Sequence, residues 1–112
     1  MATYTDINSL EEITFIAGTE YIIYFKVYNQ DGTPANLTSS TCTWKMCPYG
    51  EPTNVVLEYT GTVTATDTFS VTLLPADTLS LSGKFIHQPI VETSGVTRRS
   101  QQGIITIIPA II

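Results

Sequence analysis

Short runs in which apolar and polar residues alternate are the feature of this sequence that most limits its fold. The clearest run spans residues 21–28, where every second residue is apolar and lies on one face of a strand. Turn signals such as Asp31-Gly32 separate runs of this kind at a spacing of roughly ten residues. The pattern predicts roughly seven to eight short strands, and therefore an all-β domain built as a sandwich.

The composition favours strands over helices and over disorder. Threonine makes up about one residue in six and isoleucine is also frequent, and both β-branched side chains favour strands. Hydrophobic residues amount to 43% and charged residues to only 13%, whereas a disordered chain needs the opposite balance. A length of 112 residues allows one domain with its own core.

The charge and the N-terminal residues exclude several kinds of partner. The net charge is -5 and the isoelectric point is about 4.5, whereas a protein that follows nucleic-acid phosphates needs a basic stripe. No apolar run approaches the length of a membrane-spanning helix. Residues 1–6 lack the basic and apolar regions of a signal peptide. We therefore expect no nucleic-acid partner, no membrane partner and synthesis in the cytoplasm.

The two cysteines are expected to be free thiols. Cys42 and Cys47 are five residues apart, which on a strand places them on opposite faces and ~16 Å apart, beyond the ~7 Å reach of a disulfide. A disulfide would require the strand to end before Cys47, and Pro48 leaves that alternative open. The sequence has one histidine, so the pair lacks the roughly four ligands of a zinc site.

The pattern predicts no catalytic, cofactor or metal site. His87 shares a strand face with Phe85 and Val91, which favours a satisfied or half-buried structural histidine over a catalytic base. Trp44 alternates in phase with the other apolar residues of its strand. This phase favours a position between two sheets over a sugar-binding platform.

The C-terminal segment is apolar on both faces of a predicted strand. Isoleucine fills four of the five positions in residues 104–108, so one face can cover the core while the other is left exposed. The outer face of residues 21–28 is also largely apolar. We expect contact with a partner, in a homo-oligomer or on a particle, and the alternative is a tail that packs back on its own domain. The predicted interface residues are Ile22, Tyr24, Tyr28, Ile105, Ile107, Ile108, Ile111 and Ile112.

The order of the turn and strand motifs resembles a known family. The motifs are Asp31-Gly32-x-Pro34, Phe69-Ser70-Val71-Thr72-Leu73, Ser82-Gly83-Lys84-Phe85 and Gly103-x-Ile105-x-Ile107. Over about residues 20–109 they resemble the immunoglobulin-like domain at the N-terminus of phage baseplate upper proteins, and related small virion modules. The resemblance implies an immunoglobulin-like antiparallel β-sandwich. With the strand pattern, it divides the chain into an N-terminal arm (1–10), the sandwich domain (11–109) and an apolar tail (110–112).

The resemblance also implies a function. It implies a non-enzymatic structural protein of a phage virion, whose partners are other virion proteins. Baseplate proteins of this type continue into a further region after the domain, whereas this chain stops at Ile112. We therefore expect a capsid decoration or similar accessory protein that docks on the particle through apolar surface. A baseplate or tail module is the first alternative, and a receptor- or glycan-binding adhesin domain is the second.

Overall fold

The computed structural model describes residues 2–111, which fold as a β-sandwich. Strands hold 56% of the chain and helix 4%, so the predicted all-β sandwich is confirmed. The described residues contain ten strands and one short helix. These are β1 (Ala2–Asp6), β2 (Ile13–Ile16), β3 (Tyr21–Lys26), β4 (Ser40–Pro48), β5 (Leu57–Thr60), β6 (Thr62–Ala65), β7 (Thr68–Leu73), α1 (Pro75–Thr78), β8 (Gly83–Thr93), β9 (Val96–Arg99) and β10 (Gly103–Ile108).

The first sheet, sheet A, has the strand order β1-β3-β7-β6. In its register Tyr24 of β3 lies between Tyr4 of β1 and Ser70 of β7. The prediction of an N-terminal arm over residues 1–10 is corrected here, because β1 is hydrogen-bonded into sheet A and Ile7 is buried in the core. This segment is held in place because β1 pairs with β3, and the local sequence pattern does not predict that pairing.

The second sheet, sheet B, has the strand order β2-β10-β8-β4-β5. The long strand β8 pairs with β4 over most of its length. Its other edge is divided, since residues 83–87 pair with β10 and residues 90–93 pair with β9. The strand β10 is therefore central in the sheet, with β8 on one side and β2 on the other.

Two strand pairs, β1 with β3 and β2 with β10, are parallel, so both sheets are mixed, whereas the resemblance implied an antiparallel sandwich. A tight hairpin cannot join parallel neighbours. The chain satisfies this rule by passing from β1 in sheet A to β2 in sheet B and back to β3 in sheet A. In the strand orders of the two sheets, β1 is an edge of sheet A and β2 is an edge of sheet B.

Trp44 lies at the centre of the core, as predicted, with no exposed surface. Its indole stacks on the ring of Tyr59 with centroids 5.8 Å apart, while Phe25 and Phe69 stack at 5.1 Å. These rings come from both sheets and fill the space between them. Burial of each such ring stabilises the fold by about 1.5–3 kcal/mol relative to leaving it exposed.

Both cysteines are free thiols, as the strand spacing predicted. Cys42 packs in the core, and burial raises the pKa of its thiol to about 11. The thiol of Cys47 donates to the carbonyl oxygen of Pro52 at 3.6 Å. The strand β4 continues through Cys47 to Pro48, so the geometry that a disulfide would need does not arise.

Candidate docking surface

The C-terminal strand β10 divides its isoleucines between the core and the surface. Ile105 and Ile107 are 0% and 1% exposed, and they lie opposite the core residues Ile13 and Phe15 of β2. Their inclusion among the predicted interface residues is corrected, because strand alternation points both side chains into the core. Ile108 is on the outer face and is 46% exposed.

Two exposed isoleucines, Ile16 and Ile108, form what we call the edge patch. Ile16 and Ile108 are partners in the parallel β2–β10 register and are 53% and 46% exposed. Ala110 packs against the core, and Ile111 is fully exposed. Ile112, the last predicted interface residue, lies outside the described residues. The edge patch is thus an aliphatic surface with no charged side chain of its own.

The backbone beside the edge patch is also open for pairing. Within residues 2–111, β2 pairs with β10 alone. The N–H of Ala17 donates to the carbonyl oxygen of Ile108 at 2.8 Å, which extends this pairing by one residue. In a parallel ladder alternate residues hydrogen-bond to opposite sides. The N–H and C=O groups of Thr14 and Ile16 therefore face away from β10, along the free edge of sheet B.

The other predicted interface residues lie elsewhere. Ile22 and Tyr24 are half-buried on the outer face of sheet A. Tyr28, also half-buried, follows β3, and its carbonyl oxygen accepts from Arg98 at 2.6 Å. Since the outer faces of a sandwich point in opposite directions, the predicted set is two separate surfaces. The structure brings together Ile108 and Ile16, a residue that the sequence analysis did not select.

His87 is a core residue. It is 1% exposed, and its Nδ1 accepts the indole N–H of Trp44 at 2.9 Å. Among the described residues its Nε2 has no hydrogen-bond partner. Burial lowers the pKa of His87 to about 4, so the ring is neutral at pH 7. The structural role predicted for His87 agrees with this geometry.

The described part of the chain holds no group of three or more His, Cys, Asp or Glu side chains placed to bind a metal ion. It also contains no helix that is long and apolar enough to cross a membrane. Two surfaces of the described residues stand out by their exposed apolar side chains: the aliphatic edge patch beside a free strand edge, and the outer face of sheet A, which carries aromatic rings.

Comparison with known proteins identifies a similar fold in a phage protein. No protein-family model matches this sequence, and no curated protein matches it. Among solved structures, the N-terminal domain of phage TP901-1 ORF48 is similar, with a TM-score of 0.59 over 95% of this chain and 95% of that chain. The two sequences are 9% identical, so the likeness concerns the fold. The chain therefore has the β-sandwich architecture of a domain that occurs in a phage protein.

Proposed function

We propose that this protein is a non-enzymatic structural module of a phage virion, and that it docks on other virion proteins through the edge patch. The observation that carries the proposal is the fold likeness to the N-terminal domain of phage TP901-1 ORF48, which extends over 95% of both chains. The motif order gives independent support, since it resembles the N-terminal domain of phage baseplate upper proteins. In this proposal the protein is made in the host cytoplasm and resides in the virion.

The buried state of the reactive side chains supports a role without catalysis. The single histidine is 1% exposed, and both thiols are buried. General acid–base catalysis needs a group within hydrogen-bond reach of a bound substrate.

The size of the edge patch indicates what kind of partner it suits. The exposed fractions of Ile16 and Ile108 together equal about one whole side chain, worth ~1.5–3 kcal/mol when covered. Association of two free proteins costs ~4–15 kcal/mol in lost translational and rotational freedom. The edge patch alone is therefore too small to hold a stable dimer in solution. It suits a partner that adds a strand to β2, or a particle on which several copies dock beside one another.

The position in the particle has two proposed forms. In the first, the module decorates the capsid, and many copies cover the head. In the second, it belongs to the baseplate or another part of the tail. Both forms use the edge patch, and they differ in the part of the virion that carries the chain.

Fractionation of the virion tests the proposal. Virions of the phage that encodes this chain are purified by density gradient, then dissociated into heads and tails, and the chain is quantified in each fraction by mass spectrometry. We expect a fixed number of copies per particle in one fraction. Heads would identify a decoration protein and tails a baseplate or tail module. Absence from both fractions, with the chain present in infected cells, would refute the proposal.

A further inference from the structure

The outer face of sheet A carries an exposed aromatic pair that the docking surface does not use. The rings of Tyr4 and Tyr24 are parallel, with centroids 4.4 Å apart and planes 6° apart. They rise from paired positions on the neighbouring strands β1 and β3. Tyr4 is nevertheless 73% exposed. Because β1 is the edge strand, one face of the Tyr4 ring is covered by Tyr24 while the other is open.

Polar groups surround this aromatic pair. A shallow depression of about 360 Å³ is lined by both rings and by Thr5, Asp6, Lys26 and Thr68. Asp6 and Lys26 lie opposite each other in the register, so the depression carries one carboxylate and one ammonium group. The β7 residue opposite Tyr24 is Ser70, which adds a hydroxyl on the same outer face. The site therefore combines an apolar ring face with hydroxyl groups that donate and accept hydrogen bonds, and with side chains of both charges.

This combination matches the chemistry of a sugar ring. A pyranose presents C–H groups on its faces, which pack against an aromatic ring, and hydroxyl groups at its rim, which need donors and acceptors. The depression falls within the size range of small-molecule sites, ~300–1,000 Å³. Asp67 forms an ion pair with Lys26 at 3.9 Å, so the site has no excess positive charge, and the whole chain carries -5, which disfavours anionic polymers. We propose that Tyr4 and Tyr24, with Asp6 and Lys26, bind a pyranose unit of a neutral polysaccharide.

A second copy of this chain fits the site less well. The core of a protein interface is depleted of charge and needs a continuous apolar area. Here the rings are bordered by Asp6, Lys26 and hydroxyl side chains, so the apolar area ends at the aromatic pair. The edge patch, in contrast, is bordered by the uncharged residues Thr14 and Thr19. The two surfaces thus differ in chemistry, and a module docked through sheet B leaves the outer face of sheet A free.

Saturation-transfer NMR with defined probes tests this proposal. The probes are neutral oligosaccharides, namely cellohexaose, maltohexaose, chitohexaose and mannohexaose, with polyglutamate as the anionic control. We expect transfer to the C–H protons of at least one neutral probe, millimolar affinity, and no transfer to polyglutamate. Tyr4→Ala should weaken binding about tenfold or more, and Tyr4→Phe should retain most of it, because ring stacking is the main contribution. Val63→Ala, an exposed apolar position on β6, is the matched control and should change nothing.

Two results would overturn the proposal. The first is the lack of transfer to every neutral probe, or transfer that survives Tyr4→Ala. The second is concentration-dependent dimerisation that Tyr4→Ala abolishes, since it would assign the aromatic pair to a second copy. Tyr4→Ala should leave the folded state intact because the ring is mostly exposed, and far-ultraviolet circular dichroism verifies this. The same variant should dock on virions normally, so failure of this proposal is distinguishable from failure of the proposed function.

Discussion

Protonation of His87 is expected to destabilise the fold at acidic pH. The imidazole is 1% exposed, and its Nδ1 already accepts the indole N–H of Trp44. A proton added at Nδ1 would face that N–H, so the hydrogen bond would be lost and a charge would be buried. Burial lowers the pKa of His87 from 6.5 to about 4 in the folded state. The unfolded chain, with a pKa near 6.5, therefore binds this proton first as the pH falls.

The magnitude follows from the difference between these pKa values. One pKa unit corresponds to ~1.4 kcal/mol, so the shift of His87 is worth about 3 kcal/mol. This stabilisation is fully present above pH ~6.5 and is lost progressively as the pH falls towards ~4. Urea unfolding at several pH values, followed by the fluorescence of Trp44, measures the change directly, since Trp44 is the only tryptophan.

His87→Asn is the variant that isolates this effect. The Oδ1 atom of asparagine can replace Nδ1 as the acceptor for Trp44, but the side chain does not titrate. The free energy of unfolding of His87→Asn should therefore be nearly independent of pH between ~4 and ~6.5, whereas that of the original protein falls. Equal pH slopes for the two proteins would refute the reasoning, and would show that other groups cause the acid sensitivity.

Three further outcomes follow from the core. Trp44→Ala should lower the free energy of unfolding by ~3–5 kcal/mol in urea titrations, because a fully buried ring is removed; a loss below ~1 kcal/mol would contradict its core position. Gly61→Ala should cost ~1–3 kcal/mol, because the new Cβ would lie 2.5 Å from Cδ2 of Phe69, and an unchanged thermal midpoint would show that the core yields there. Reductant should leave the thermal midpoint unchanged, and Cys42 and Cys47 should react with a thiol reagent only after denaturant is added; a marked fall in the midpoint with reductant would indicate a disulfide.

Local alternation was sufficient to predict the sandwich and most of its core. In residues 21–28 the residues of one phase are all buried, as the period of two requires. Trp44 was predicted as a core residue for the same reason, and His87, predicted as a satisfied or half-buried structural residue, is also buried. Their hydrogen bond was beyond prediction, because the two residues are 43 positions apart and meet only when β4 pairs with β8.

The surfaces depend on pairing that no local pattern encodes. Ile16 and Ile108 become neighbours because β2 pairs parallel with β10, at a separation of most of the chain. The sequence pattern showed that Ile107 and Ile108 lie on opposite faces of a strand. Only the register with β2 decides that Ile107 faces the core and Ile108 faces outward. Tyr4 was not predicted for a related reason. The strand β1 is short, and the Tyr4 ring forms part of a site only because the pairing of β1 with β3 stacks it on Tyr24.

Two matched lysine substitutions test whether the edge patch is the docking surface. Ile108→Lys places an ammonium group in the edge patch, while Val63→Lys places one at a 41% exposed position on β6, at the far edge of sheet A. Losing the burial of the exposed half of Ile108 removes ~0.7–1.5 kcal/mol of docking energy. Desolvating the ammonium group adds a further cost, so docking should weaken by about tenfold or more in total.

Titration of virions that lack the chain, with the purified protein and its two variants, tests the central claim most directly. Bound protein is separated by sedimentation and quantified, after circular dichroism has verified that each variant is folded. We expect saturable binding of the original protein, the same affinity within about twofold for Val63→Lys, and an affinity lower by about tenfold or more for Ile108→Lys. Equal binding of all three proteins, or no saturable binding of the original protein, would contradict the claim that the edge patch docks this module on a virion.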